Sequence, residues 1–230
     1  MYVDRNCSVC LIKSNNCFAK LQLEDKEYVN SFKSSTYVKR GQIIFHEGNI
    51  PNGLYCLNEG KIKVYRLGND GKEQVVRIVT PMSFFGLQAL ISGWNYSTSA
   101  VTLEDSVICF IPKRVFLKII QKNQEVSHCL MILLSSMLED AESKLLSLAQ
   151  KPVRERLAET LVTLYQLFNK NGGDNYINLS RSDIANIVGT ANECVIRLLS
   201  EFKDDQLIQL NGRRISILDV NELKRIARLI

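Results

Sequence analysis

Residues 178–202 read NLSRSDIANIVGTANECVIRLLSEF, two helical periods interrupted by a single glycine. Ser180 and Asp183 form an S-x-x-D pattern that can cap a helix by accepting from free backbone N–H groups, and Ile184, Ile187 and Val188 follow at helical spacing. Gly189 supplies the permissive backbone that lets the chain leave this short helix. Thr190 or Ala191 then starts a second helix. Its apolar positions Cys194, Val195, Leu198, Leu199 and Phe202 face inward, which leaves Asn192, Glu193, Ile196 and Arg197 on the outer side. Two short helices joined by a turn of about four residues are a helix-turn-helix able to enter a DNA major groove. Arg197 can donate two hydrogen bonds to guanine O6 and N7, and Glu193 can accept from cytosine N4. The plain alternative is an ion pair between the two, one turn apart on a solvated helix, worth a few tenths of a kcal/mol.

The flanking sequence favours the DNA reading. Leu207-Ile208-Gln209-Leu210 and Arg213-Arg214-Ile215-Ser216-Ile217 alternate around Asn211-Gly212, the signal for a tight hairpin. Such a hairpin is a wing, and it places Arg213 and Arg214, with Lys203, where a phosphate backbone would run. Upstream, residues 153–168 form a helix with Arg154, Glu155 and Arg156 expected on its exposed face, and residues 169–175, NKNGGDN, are a polar loop.

The chain has 230 residues, 46% of them hydrophobic, with a net charge of +5 and a pI of about 8.8. Two modest domains fit that length, and disorder is excluded by the apolar content. The charge is compatible with nucleic acid but mild. No run of eighteen apolar residues occurs, and MYVDRNCSVC lacks the apolar core of a signal peptide, so the expectation is a soluble cytoplasmic protein with no membrane partner. In a reducing compartment the seven cysteines point to metal or redox chemistry rather than to a disulfide framework.

Cys7, Cys10 and Cys17 form a C-x2-C-x6-C cluster among polar residues. Converging thiolates suit zinc or an iron–sulfur cluster; the alternative is a cysteine-rich tail without metal. Three ligands leave a site incomplete, and the fourth must come from elsewhere. A helix is expected over residues 23–32, and residues 37–111 are short strands broken by Gly, Asn and Asp. Ile62 and Val64 should point inward, with Lys61 and Lys63 outward; residues 68–71 mark a hairpin, and His46 sits at a strand end. Trp94 and Tyr96 read as packing residues. So many short strands imply a double-sheet jelly roll or a small barrel.

A short helix follows Pro112, and residues 125–150 run without Gly or Pro. Val126, Leu130, Leu133, Leu134, Met137, Leu138, Ala141, Leu145 and Leu148 form a stripe broad enough for one face on the barrel and another on a twin helix, so a parallel homodimer is expected. A buried connecting helix is the alternative. The expected architecture is α+β: a cysteine-rich segment over residues 1–22, an N-terminal β jelly roll over 23–124, a long dimerisation helix over 125–151 and a C-terminal winged helix-turn-helix over 152–230. A cupin-like enzyme would need several His and carboxylates converging in the barrel, whereas the chain has only His46 and His128. An electron carrier would leave the wing and helix pair unexplained.

That order of parts resembles the Crp/Fnr family of bacterial transcription regulators over essentially the whole chain. KRGQIIFHEGN, LNEGKIKVY, RERLAETL and LSRSDIANIVGTANECVIRLLSEF stand at corresponding places. The resemblance implies a cyclic-nucleotide-binding-like sensor fold, a palindromic double-stranded DNA operator and contact with RNA polymerase. It assigns base contacts to Glu193 and Arg197, variable reading positions to Asn192 and Ile196, and a phosphate contact to Arg181, with Ser180 beside it among the DNA-binding positions. Ile196 stands where Fnr-type members often carry Ser and Crp-type members Gly.

Cyclic-nucleotide binders of the family carry a Glu after the Phe-Gly turn and an Arg-Ser pair before the next Ala. Here Phe85-Gly86 is followed by Leu87, and Thr98-Ser99 precedes Ala100. A cyclic phosphate would be left uncompensated in a partly dry pocket, which argues against cAMP. Fnr-type oxygen sensors instead combine an N-terminal cysteine cluster with one distant cysteine, and LEDSVICFIPKRVF puts Cys109 there. On the resemblance, Cys7, Cys10, Cys17 and Cys109 match the four ligands of a [4Fe–4S] cluster, although the last N-terminal spacing is six residues where the best-known members have five. Zinc, haem, thiol oxidation or a small ligand in the jelly roll remain the alternative signals. Cys56, Cys129 and Cys194 are expected to be buried, inert thiols.

Overall fold

Glycine, asparagine and aspartate punctuate the first half of the chain so often that each apolar run is long enough for a strand and too short for a helix. The computed structural model describes residues 17–169 and 176–229. A 3-10 turn, Cys17–Lys20, leads into α1 (Leu23–Phe32). Strands β1 (Ser34–Val38), β2 (Ile43–Phe45), β3 (Gly53–Glu59), β4 (Ile62–Leu67), β5 (Glu73–Val79) and β6 (Phe84–Phe85) follow, then the short α2 (Leu87–Ser92). Next come β7 (Ser99–Thr102), β8 (Ser106–Pro112), α3 (Lys113–Lys122) and the long α4 (Gln124–Gln150). The C-terminal part holds α5 (Val153–Asn169), β9 (Ile177–Asn178), α6 (Arg181–Val188), α7 (Asn192–Asp204), β10 (Ile208–Asn211), β11 (Arg214–Ile217) and α8 (Val220–Ile226). The jelly roll, long helix and winged helix-turn-helix expected from the sequence are all present, in that order. The expectation did not include α2, α8 or the extra strand β9.

The chain divides into two units, the first comprising residues up to Leu67 with Val76–Glu139, the second Gly68–Val75 with Asp140 onward. In the first, two four-stranded antiparallel sheets run in the orders β1-β8-β3-β6 and β2-β7-β4-β5. Phe45, Leu57, Ile62, Val64, Phe85 and Ile108 form one apolar core. A second core lies on the helical side, where Leu54 and Ile111 meet Phe18, Val29, Phe116, Val126 and Leu130. Gly60, at φ +95°, closes the β3–β4 turn so tightly that an added Cβ would sit 2.2 Å from Ser106 Oγ, so only glycine fits.

Ile62 and Val64 lie in the core as expected, but the two lysines that alternate with them are not solvated. Lys63 is 8% exposed, its ammonium 5.3 Å from the Tyr65 ring centroid, because its stem can lie along the sheet while the head finds an aromatic face. Lys61 pairs with Glu104 at 2.9 Å. Trp94, expected to pack, is 78% exposed, while its neighbour Tyr96 is buried.

On α1, Asp25 is buried and accepts from Lys122 Nζ at 2.9 Å and Asn123 Nδ2 at 3.0 Å, which ties α1 to the end of α3. The amide of Asn123, then the ammonium of Lys122, hold its carboxyl below the ordinary value. No helix among the described residues is long and apolar enough to cross a membrane.

Candidate nucleic-acid interface and cysteine centre

The helix pair is built as its sequence dictates. Ser180 Oγ accepts from Asp183 N at 3.0 Å, capping α6 at its first turn. Ile184, Ala185 and Val188 are buried beneath it. Gly189 ends α6 in the left-handed conformation, φ +73°, and its N–H returns to Ala185 O at 2.8 Å. The carbonyls left over at this end are also met. Arg156 donates to Val188 O at 3.1 Å and Gly189 O at 3.2 Å, and also to Lys151 O at 2.9 Å between α4 and α5, while Gln74 Nε2 donates to Asn186 O at 2.8 Å. Arg156 is therefore a clamp on the turn and not, as expected, surface decoration. Its neighbours are also engaged: Arg154 pairs with Asp205 at 3.0 Å and lies over the Phe202 ring, and Glu155 pairs with Arg228 at 3.0 Å. Sequence periodicity could not reveal these partners, which come from other helices.

Helix α7 buries Val195, Leu198, Leu199 and Phe202. Glu193, Ile196 and Arg197 are exposed on its opposite side, and Asn192 is half-buried at its start. Arg197 pairs with Glu201, one turn further on, and not with Glu193. Both partners are well exposed, so water and salt screen the pair and a stronger acceptor can displace it.

The wing is three-stranded, ordered β10-β11-β9, with Ile208 opposite Ile217 and Asn211 opposite Arg214. Its two-residue loop is Gly212-Arg213, one position later than the Asn-Gly dipeptide implies. Arg181 Nη2 donates to Gly212 O at 2.9 Å, which pins the loop to the start of α6, while its Nη1 is enclosed without a hydrogen-bond partner among the described residues. Arg214 lies over the Tyr176 ring at 4.6 Å, and Arg213 is exposed at the tip.

Residues 35–123 match the cyclic nucleotide-binding domain family, and residues 155–226 match the Crp-like helix-turn-helix domain family. The chain belongs to the Crp/Fnr family of transcription regulators. It is 27% identical over 226 residues to the transcriptional activator protein Anr of Pseudomonas protegens, covering 96% of this chain and 92% of that one. It is 29% identical over 193 residues to the fumarate and nitrate reduction regulatory protein of Vibrio cholerae, covering 83% and 77%. The structure of FixK2 from Bradyrhizobium japonicum superposes with a TM-score of 0.77 at 23% identity, over 84% of this chain and 96% of that one, a likeness of fold. These relatives are transcription regulators and not enzymes, and this Crp/Fnr regulator is likewise a DNA-binding protein.

In the cyclic-nucleotide-binding-like domain, the Phe85-Gly86-Leu87 turn is packed with aromatic rings. Tyr96 stacks on Phe45 with centroids 3.9 Å apart, and Tyr55 stacks on Phe85 at 5.2 Å. A Cβ on Gly86 would lie 3.2 Å from Tyr96 Cε1, so the ring fills the space above the Phe85-Gly86-Leu87 turn. Burial raises the Tyr96 phenol above its ordinary value, which keeps it neutral beside the other rings.

The cysteines divide differently from expectation. Cys7 and Cys10 lie outside the described residues. Cys17 is disulfide-bonded to Cys129, with Cα atoms 5.4 Å apart, so Cys129 is a bonding partner and not an inert thiol. Cys109 is buried on β8, the strand between β1 and β3, with its Sγ 3.3 Å from Ser35 Oγ and with Cys56 opposite it on β3. By strand alternation Cys109 shares a sheet face with Ile111, which belongs to the same core as Cys17. Among the described residues no three Cys, His, Asp or Glu converge as a metal site. The donor chemistry of Cys17 and Cys109 suits an iron–sulfur cluster only when Cys17 is a thiolate, and the disulfide removes it from that set.

Proposed function

We propose that this Crp/Fnr regulator acts as a homodimer that reads a palindromic operator with paired α7 helices, in the cytoplasm, under redox control. Residues 23–124 serve as sensor, 125–151 as dimerisation helix and 152–230 as DNA-binding domain. The observation that carries the dimer is on α4. Only Val126 and Leu130 are buried along that helix, whereas Met131, Leu138, Leu145 and Leu148 are exposed. With Leu134 and Ala141 these side chains repeat at alternating steps of three and four residues, the seam of a two-stranded coiled coil. Such a seam loses apolar area to water unless a second copy covers it.

Glu193 and Arg197 would read base edges, with Asn192 and Ile196 beside them. Arg181 and Ser180, at the start of α6, would lie along the phosphates, and Arg213 at the wing tip would add charge there. RNA polymerase is the second macromolecular partner that the family membership implies. For the signal, Cys7, Cys10, Cys17 and Cys109 would hold a [4Fe–4S] cluster when Cys17 and Cys129 are reduced. Such a cluster supplies an oxygen-labile prosthetic group. The spacing of the cysteines and the similarity to Anr support this reading, while the filled turn at Tyr96 and the uncharged Leu87 and Thr98 argue against a cyclic nucleotide.

Anaerobic purification under reducing conditions should yield a brown protein with about four irons per chain. Cys109→Ser should lose the iron and the visible absorption. A colourless wild-type protein under those conditions would end the cluster reading and leave the DNA-binding assignment standing.

A further inference from the structure

Cys17 and Cys129 are 112 positions apart in sequence, yet packing brings them together. Phe18, next to Cys17, is 1% exposed, meets the Phe84 ring at a tilt with centroids 5.0 Å apart and stacks on Phe116 at 6.4 Å, and Leu21 is also buried. Cys129 lies between Val126 and Leu130, the two buried residues of α4, and packs against the same core. Phe18 and Leu21 thus seat Cys17 in the same core that Cys129 packs against. Cys129 is half-buried and Cys17 is enclosed, so a small oxidant reaches Cys129 first. Two residues beyond Cys129, at Met131, the exposed seam of α4 begins.

We propose that Cys17 and Cys129 form a reversible dithiol–disulfide switch that fastens the N-terminal segment to the root of α4, and that its oxidation withdraws Cys17 from the cluster ligands. With hydrogen peroxide as oxidant, the Cys129 thiolate attacks one peroxide oxygen. The O–O bond breaks, Cys129 becomes a sulfenic acid and the departing hydroxide takes a proton to give water. The Cys17 thiolate then attacks the sulfenic sulfur; the S–S bond forms, the S–O bond breaks and the departing hydroxide takes up the proton released by the Cys17 thiol to leave as a second water. Two thiols have lost two electrons and the peroxide has gained them. The switch stands without the cluster. The competition for Cys17 rests on the cluster reading, and the two are separable by experiment.

The full chain, reduced anaerobically and freed of metal, is treated with equimolar hydrogen peroxide, alkylated without reduction, digested and mapped by mass spectrometry. The expected product is a Cys17–Cys129 cross-linked peptide that a thiol reductant opens under native conditions. Pairing of Cys17 with Cys7 or Cys10, or a cross-link that opens only in denaturant, would overturn the switch. Reduced and cross-linked protein are then each reconstituted anaerobically with iron and sulfide. Cross-linked wild type should take up less than a tenth of the iron bound by reduced wild type, and Cys129→Ser should bind as much as reduced wild type. Equal uptake by the cross-linked form would overturn the competition alone. No uptake by any form would end the cluster reading and the competition that rests on it, with the switch decided by the peptide map.

Discussion

At the scale of single residues, the proposed reading face depends on Arg197 being available. Its exposed pairing with Glu201 is a resting position that costs little to leave, whereas a bidentate contact to guanine is charge-assisted and directional. Arg197→Ala should therefore relax preference at one base pair of each half-site by about 1–3 kcal/mol, as read by binding-site selection. Unchanged selectivity would remove Arg197 from the reading set. Asp25 is a residue of the opposite kind, buried and paired wholly within the sensor. Asp25→Asn should lower sensor stability at neutral pH by about 1–3 kcal/mol, because Lys122 and Asn123 lose a charged acceptor. Since the folded carboxyl titrates below its ordinary value, its contribution is present above about pH 4 and disappears as pH falls through the folded value. The stability difference between wild type and variant should narrow over that acid range in denaturant titrations.

At the scale of elements, the turn between α6 and α7 shows how much of the helix pair is local chemistry. The Ser180 cap and the left-handed Gly189 are both written in the sequence, and they set the length of α6. Gly189→Ala should destabilise the DNA-binding domain by about 1–2 kcal/mol, since an L-residue resists φ +73° and its Cβ would lie 3.0 Å from Leu148 Cδ2. Thermal unfolding of the isolated variant against wild type measures this directly. The carbonyls at the same turn, held by Arg156 and Gln74, were not legible. Both donors are remote in sequence, and an arginine on a helix with alternating charges looks solvated until the carbonyls it meets are known.

At the scale of the whole molecule, the apolar stripe of α4 is divided: Val126 and Leu130 are packed in a core, whereas Met131, Leu138, Leu145 and Leu148 are exposed. Leu138→Lys with Leu145→Lys should convert the proposed dimer to a monomer in analytical ultracentrifugation and cut operator affinity at least tenfold, while circular dichroism stays unchanged. A dimer that survives both substitutions would place the interface elsewhere. Jelly roll, long helix and winged helix could be read in order because each rests on local signals: glycine-bounded strands, unbroken helical periodicity, a cap and a tight hairpin. Lys63, Trp94 and β9 could not, because exposure and edge pairing depend on what arrives from elsewhere in the chain.

The cysteines mark the same boundary most sharply. Composition and spacing alone single out the cysteines as candidates for the proposed redox control, since three within eleven residues and a fourth at position 109 are visible as text. Only the tertiary structure decided which sulfur Cys17 meets. That choice belongs to Phe18 and Leu21 seated in a core shared with Val126 and Leu130, and burial of apolar area between segments more than a hundred residues apart leaves no periodic trace in the sequence.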